Sequence, residues 1–490
     1  MKILLIEPPF ERFIGQRCEW YPIGLTSIAT LLEKYGFKAR VYNAEHDNSL
    51  PYINIKRFYT DYYKYKEGLN NTSHPIWKEV ARTIKEFEPE LIGISVKSVK
   101  IPSALNIAKI GKEINNCVKI VAGGFHSTIC PQDLLSAKEV DFIIRDEGEE
   151  TLLELLEYIR TGNSKFEEIA GISFKDKDGN LVNNPKRSLI ENLDSLPYPK
   201  RELLILIGKE TYTKDQLGWI ITSRGCPYDC TFCNSSAIWN RAVRYRSIQN
   251  VVEEIDYLKK EYNISNFNFI DDSFTVNRKR VLEFCKILIQ EKKEISWSCL
   301  TRADLIDVEM TRFMQKAGCT KIDIGIESGS ENIQKVIGKG MKLDRVREMA
   351  KMFKENKMFW TGFFMMGFPT ETKEDILETL RFMKEVNPDW ICLSIFTPYP
   401  GTKLYEIVKE KGLMSPDKGS IYSHQNPDNC FSEKISPAEF HKLAELMIEE
   451  FDKHNRAPKS LLKRAMTRRY HRKPMLIFKD IKKMLSWISK

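Results

Sequence analysis

Between residues 1 and 160, short runs of Ile, Val and Leu alternate with segments whose apolar positions recur at helical spacing: KILLIEPP, LTSIATLLEKYG, ARVYN, a helix near 75–87, ELIGISV, a helix near 102–114, VKIVAGG and DFIIRDEGEETLLELLEYIR. Apolar runs this continuous are strands covered on both faces, so residues 1–160 read as a doubly wound, Rossmann-like α/β domain with a parallel sheet. Ligands of such sheets lie outside the carboxyl ends of the strands. That singles out Glu7-Pro8-Pro9, Ser95 to Ser98, Gly123 to His126 and Asp146 to Glu149. Residues 161–205 read differently, as a hairpin turning at Asp178-Gly179 and a Pro-containing linker. The alternation then resumes: WIITSRG, FNFIDD, SWSCLTR, KIDIGIES, FWTGFFMMG and WICLSIFTPYP each precede a helix. Six such repeats over residues 206–415 predict a partial (β/α)6 TIM-type barrel working at its carboxyl edge. Residues 416–490 read as a helical C-terminal extension ending in a basic tail.

Composition changes this picture little. With 42% hydrophobic and 29% charged residues the chain is ordinary globular protein, which excludes disordered and fibrous classes. Charge is informative once divided: residues 453–490 hold thirteen basic residues against Asp480, so a tail of +12 within a total of +9 leaves −3 for residues 1–452. No run approaches the roughly 18 uninterrupted apolar residues of a spanning helix, and the start meets Pro8 and Pro9 where a signal peptide would continue. A cytoplasmic protein is expected. Eleven cysteines, odd in number and mostly isolated, fit reduced thiols, with one exception.

The exception is Cys226-Pro-Tyr-Asp-Cys230-Thr-Phe-Cys233, on the loop after the first barrel strand and preceded by Arg224-Gly225. Three converging thiolates can hold three corners of a [4Fe-4S] cube and leave one iron open. Structural zinc is the alternative, but it usually shows two paired CxxC halves. A CxxxCx-aromatic-C loop opening a six-unit barrel resembles the radical S-adenosylmethionine (SAM) enzymes, and the preceding sheet domain makes residues 1–415 similar to their cobalamin-binding subclass.

The resemblance implies roles by position. Cys226, Cys230 and Cys233 would ligate the cluster, with SAM on the open iron and Phe232 beside its adenine. At the end of the second barrel strand, Asp272, with Asp271 as alternate, would accept from the SAM ammonium. Arg302 would pair with the SAM carboxylate, and Glu327 and Ser328 with the ribose hydroxyls. Gly367 to Glu371 and Thr397 to Gly401 resemble late-strand turns of the family and read as structural. In the first domain Ser95, Ser98, Gly123, Gly124, Phe125, His126, Glu147 and Gly148 resemble cobalamin contacts, His126 lining the nucleotide-tail pocket. Mutase-type domains supply a lower axial histidine from DxHxxG. The nearest segment here, Glu45-His46-Asp47-Asn48-Ser49, departs from that pattern, so base-off cobalamin without a histidine on cobalt is expected and His46 reads as a loop residue.

By the same resemblance the function is methylation of an unactivated carbon or phosphorus centre through a 5′-deoxyadenosyl radical and methylcobalamin. The alternatives are a cyclase, oxidase or ring-rearranging enzyme using the same cofactors, a methylthiotransferase, and a non-enzymatic cobalamin sensor or carrier. Methylthiotransferases need additional cluster cysteines, whereas Cys18, Cys117 and Cys130 are scattered. A small-molecule, lipid or peptide substrate and a flavodoxin or ferredoxin as external electron donor are implied. Nucleic acid is not expected. After Pro474, apolar Ile477, Phe478, Ile481, Met484, Leu485 and Ile488 recur at helical spacing opposite Lys479, Lys482 and Lys483. Such a helix either lies on an anionic membrane surface or packs on the barrel with its basic face in solvent.

Overall fold

The computed structural model describes residues 1–17, 20–51, 54–205, 212–414, 422–423, 426, 429–458 and 460. The chain forms two compact units, one of Met1–Trp219, Phe232–Ser247 and Thr397–Asn426, the other of Ile220–Thr231, Ile248–Phe396 and Pro427–Lys490.

The first unit is built on β1 (Lys2–Glu7), β2 (Lys38–Asn43), β3 (Leu91–Ser95), β4 (Lys119–Gly123), β5 (Phe142–Ile144), β6 (Ile172–Lys175), β7 (Leu181–Asn183) and β8 (Leu204–Ile205), in the order β7-β6-β5-β4-β3-β1-β2-β8. β1 to β5 and β8 are parallel, β6 and β7 antiparallel. Both faces are covered, as the continuous apolar runs require. Leu4 and Ile6 enter one core and Ile3 and Leu5 the other. Each is at most 1% exposed, and burying each stabilises by about 1.5–3 kcal/mol. The segment read as hairpin and linker supplies both edges of this sheet, since β6 joins β5 and β8 joins β2. Strand order reverses at β1, between β2 and β3, which is where such sheets open a ligand crevice.

The second unit carries a sheet of β9 (Trp219–Ile220), β10 (Asn266–Phe269), β11 (Ser296–Thr301), β12 (Cys319–Glu327), β13 (Phe359–Met366) and β14 (Trp390–Ile395), paired in sequence order. Helices follow the strands, and the pairs from β10 to β14 are parallel. Alternation divides the faces. Phe269 and Trp297 stack edge-on with Phe284 of the helix Arg278–Gln290, whereas Ser298 Oγ donates to Asn268 Oδ1 at 2.6 Å on the inner face. The helix Pro437–Arg456 buries Phe440, Met447 and Phe451 completely. Its Asn455 side chain accepts from Ile391 N (3.0 Å) and donates to Ile391 O (2.8 Å), closing the outer edge of β14. The basic helix expected after Pro474 lies outside the described residues.

Candidate active site

In the second unit the cysteine loop, as far as Thr231, is held from two sides. Before it, Asp271 accepts from Thr222 N (2.6 Å), Ser223 N (3.1 Å), Ser223 Oγ (2.9 Å) and Thr222 Oγ1, so this carboxylate is 3% exposed and fully occupied. Burial raises its pKa against the pull of those donors. Asp272, the next residue, is exposed, and its charge reaches Cys226. Of the two acids, Asp271 braces the strand and Asp272 is the exposed one. After it, Thr231 N donates to Ile337 O (3.0 Å) and Thr231 Oγ1 to Val336 O (2.9 Å), docking the loop on the end of the helix Glu331–Ile337.

Between these braces lie Cys226 and Cys230, with Cys233 two residues past Thr231; none of the three is in a disulfide and each is partly buried. Burial pushes the Cys226 and Cys230 thiols up, opposed by Arg302 near both and by Lys339 near Cys230. Arg302 is clamped: Asp304 accepts from Nε (2.9 Å) and Nη2 (2.7 Å), Lys339 O accepts from Nη2 (2.7 Å), and the guanidinium lies 3.8 Å from the ring centre of Tyr228 in the cysteine loop. Nη1 is buried with no hydrogen-bond partner. A guanidinium N–H left so costs about 1–3 kcal/mol or more, which an anion at this position offsets. Partly buried thiols under a cationic influence and a fixed cationic donor without an acceptor fit the cluster and the SAM carboxylate that the resemblance implies.

Glu327 sits at a register shift between β12 and β13 with φ 70°, unusual for a side chain larger than glycine. Its carboxylate accepts from Lys339 Nζ at 2.7 Å, and Lys339 also donates to Gly325 O at 2.6 Å. A Cβ on Gly325 would sit 2.5 Å from Glu327 Oε1 and 2.7 Å from Lys339 Nζ, so a larger residue there would displace the ends of both side chains. The charges of Glu327 and Lys339 both reach Cys230. Ser328 goes elsewhere. It is fully buried, its hydroxyl 2.9 Å from Thr379 Oγ1 and accepting from Ser330 N at 3.1 Å. Tyr228, Asp304 and Lys339 were not anticipated; the one sequence signal for Lys339 is its place between Gly338 and Gly340, both at positive φ.

In the first unit the ends of β3 and β4 are stitched together: Val96 N donates to Gly123 O (2.7 Å) and His126 N to Val96 O (3.1 Å). Gly124 has φ 99°, and a Cβ there would lie 3.1 Å from Val96 backbone atoms. Ser95 is partly buried, and Phe125 is 50% exposed beside the glycine pair. Ser98 and His126 are buried together, Oγ 3.0 Å from Nδ1. Glu147 is taken up by Ile190 N (2.7 Å) and Arg244 Nη1 (2.8 Å), and Gly148 begins the helix Gly148–Thr161. His46 stacks on Tyr212 with ring centres 3.7 Å apart.

Asp146, in the strand-end loop singled out from the sequence, was given no role there. It has φ 59°, its side chain is 5% exposed, and neither carboxylate oxygen has a hydrogen-bond partner. Burial raises its pKa, and the nearest cation, Lys186, is 3.9 Å away. A strained, desolvated acid at the carboxyl edge of the sheet, next to a glycine cradle, fits a ligand bearing amide or hydroxyl donors, as cobalamin does.

A cysteine-bearing partial barrel joined to a doubly wound domain defines the class, and comparison bears it out. The Radical SAM superfamily model matches residues 220–383 and the B12 binding domain model residues 17–156. The chain belongs to the radical SAM superfamily, in its cobalamin-binding branch. It is 34% identical over 423 residues, 84% of each chain, to the uncharacterized methyltransferase PH0819 of Pyrococcus horikoshii. It is 28% identical over 344 residues, 68% of this chain and 61% of the other, to the anaerobic magnesium-protoporphyrin IX monomethyl ester cyclase of Rubrivivax gelatinosus. The radical SAM methyltransferase TsrM from Kitasatospora setae, solved with cobalamin and a [4Fe-4S] cluster, shares the fold at TM-score 0.67 and 16% identity, covering 90% of this chain and 84% of that one.

Proposed function

We propose that this enzyme methylates an unactivated carbon of a small-molecule substrate, using a [4Fe-4S] cluster, SAM and cobalamin. The observation that carries the reading is the braced stretch bearing Cys226 and Cys230 beside a clamped Arg302 with a buried, unpartnered N–H. The chain-long likeness to a methyltransferase supports the outcome. When bound, the cluster and SAM supply a 5′-deoxyadenosyl radical and cobalamin supplies a transferable methyl group.

The protein's own residues hold and orient. Cys226, Cys230 and Cys233 would give up their thiol protons to ligate the cluster, and Arg302 and Tyr228 fix the loop that carries them. Arg302 Nη1 would meet the SAM carboxylate, Asp272 the ammonium and Glu327 the ribose, with Phe232 against the adenine. The Gly123-Gly124 turn and Asp146 would hold cobalamin. The remaining resembled contacts, Ser95, Ser98, Phe125 and His126, frame the same loop. Positioning of this kind reduces the entropy cost of bringing three reactants together.

SAM labelled in its methyl group tests the outcome: label in the product supports methyl transfer, and turnover to an unlabelled product overturns it in favour of the second reading. That reading is cyclisation or oxidation without net methylation, and the match to the cyclase favours it. A flavodoxin or ferredoxin would deliver the electron. No helix among the described residues is long and apolar enough to cross a membrane. The basic tail would instead bring the enzyme to an anionic surface, and removing residues 474–490 would then weaken vesicle binding.

A further inference from the structure

We propose that His126, Cys130 and Asp133 form a binding site for one divalent transition-metal ion, zinc by its donor set, separate from the Cys226–Cys233 loop. One imidazole nitrogen, one thiol sulfur and one carboxylate oxygen lie within 4.8 Å of one another. A tetrahedral zinc with ligands at about 2.0–2.3 Å places its donors roughly 3.5 Å apart. Adjustment of the half-buried Cys130 and Asp133 closes that difference.

Local structure explains why these three meet. They stand at i, i+4 and i+7 across two consecutive short helices, Phe125–Ile129 and Pro131–Leu135. Cys130 lies at the junction, its N–H donating to His126 O at 2.8 Å and its carbonyl accepting from Asp133 N at 3.2 Å. Pro131 starts the second helix without breaking this path, because its missing N–H falls in the first turn.

A second observation concerns the far side of the imidazole. Ser98 Oγ, 7% exposed as a residue, lies 3.0 Å from Nδ1, while Nε2 lies 3.2 Å from Asp133 Oδ2. With Nδ1–H donating to Ser98, the Nε2 lone pair points at the Cys130 and Asp133 donors, as metal-ligating histidines are ordinarily fixed by an outer hydrogen bond. Without metal, the other tautomer gives a buried histidine bridging Ser98 and Asp133. His126 is 1% exposed, and Tyr422 covers it with ring centres 5.6 Å apart. The charges of Cys130 and Asp133 reach the Tyr405 and Tyr422 hydroxyls, leaving a phenol or a water for the fourth position. Three protein ligands of mixed N, S and O type suit zinc better than magnesium or calcium, which take oxygen. The ion would pin the turn that begins at Gly124.

The test is zinc and iron content of the full-length protein, its cluster reconstituted first, after dialysis against buffered free zinc. One zinc per chain in the wild type is expected. Cys130→Ser and Asp133→Asn should each weaken zinc binding at least tenfold with iron content unchanged. Absence of zinc from iron-loaded wild type would overturn the site. So would full zinc retention in the double variant His126→Gln, Cys130→Ser, which would place the ion elsewhere. Should the variants fail to fold, the wild-type stoichiometry alone decides.

Discussion

At the scale of single residues, buried charge without a partner is the most informative feature. Arg302→Lys keeps the positive charge but loses the fork on Asp304 and the stacking on Tyr228. It should weaken SAM binding to the reconstituted enzyme at least tenfold while iron content stays near wild type, read by equilibrium binding. Asp146 separates function from stability: Asp146→Gly relieves the φ 59° backbone by about 1 kcal/mol and should raise the melting temperature. Both Asp146→Gly and Asp146→Asn should loosen cobalamin severalfold in a spectrophotometric titration. Unaltered cobalamin affinity in both would make Asp146 structural only. Glu371 is fully buried, and burial pushes its carboxyl up to about 8 even though Gly367 N and Phe368 N donate to it. The folded state therefore keeps a proton that the unfolded state releases above its ordinary value near 4.5. Stability should fall as pH rises from there to about 8, by on the order of a few kcal/mol. Glu371→Gln should flatten that slope in chemical denaturation at several pH values.

At the scale of elements, the strands were legible because continuous Ile, Val and Leu runs can be buried only between two layers, and the cysteine loop because its spacing has few other uses. Irregularities were not. Alternation along KIDIGIES does not disclose the register shift between Gly325 and Glu327, so the expected Glu327 and Ser328 pair divides, one toward Lys339 and the other into the helix Lys373–Val386 against Thr379. The resemblance put Asp272 ahead of Asp271, but the physical difference between them is a set of bonds from Asp271 to Thr222 and Ser223, some fifty positions away, which no local pattern discloses. Lys339 escaped for the same reason, since its bonds to Glu327 and Arg302 join positions distant in sequence, and the loop of Asp146 was legible whereas its positive φ and unpartnered oxygens were not. The outer strand β14 depends on one side chain. Asn455→Ala would leave Ile391 N–H and C=O without their partner and should cost about 1–3 kcal/mol in urea unfolding.

At the scale of the whole molecule, a sheet with both faces filled presents Gly124 and Asp146 at its carboxyl edge, and an inner-polar strand set presents Asp272, Arg302 and Glu327 around a thiol loop. Each unit is completed by chain from elsewhere in the sequence, Thr397–Asn426 in the first and the helix Pro437–Arg456 in the second. The order of strands and helices could be read ahead of the structure, but this interleaving could not, because no local pattern marks where a segment returns. A radical SAM and a B12-binding domain in one chain give the reaction two sources of reactivity, and in the proposed function SAM cleavage at the cysteine loop is the step on which all else depends. Formation of 5′-deoxyadenosine by anaerobically reconstituted, chemically reduced enzyme, compared between wild type and Cys230→Ala at equal folded protein, addresses it directly. The wild type should release 5′-deoxyadenosine and the variant essentially none; equal amounts from both would contradict the assignment.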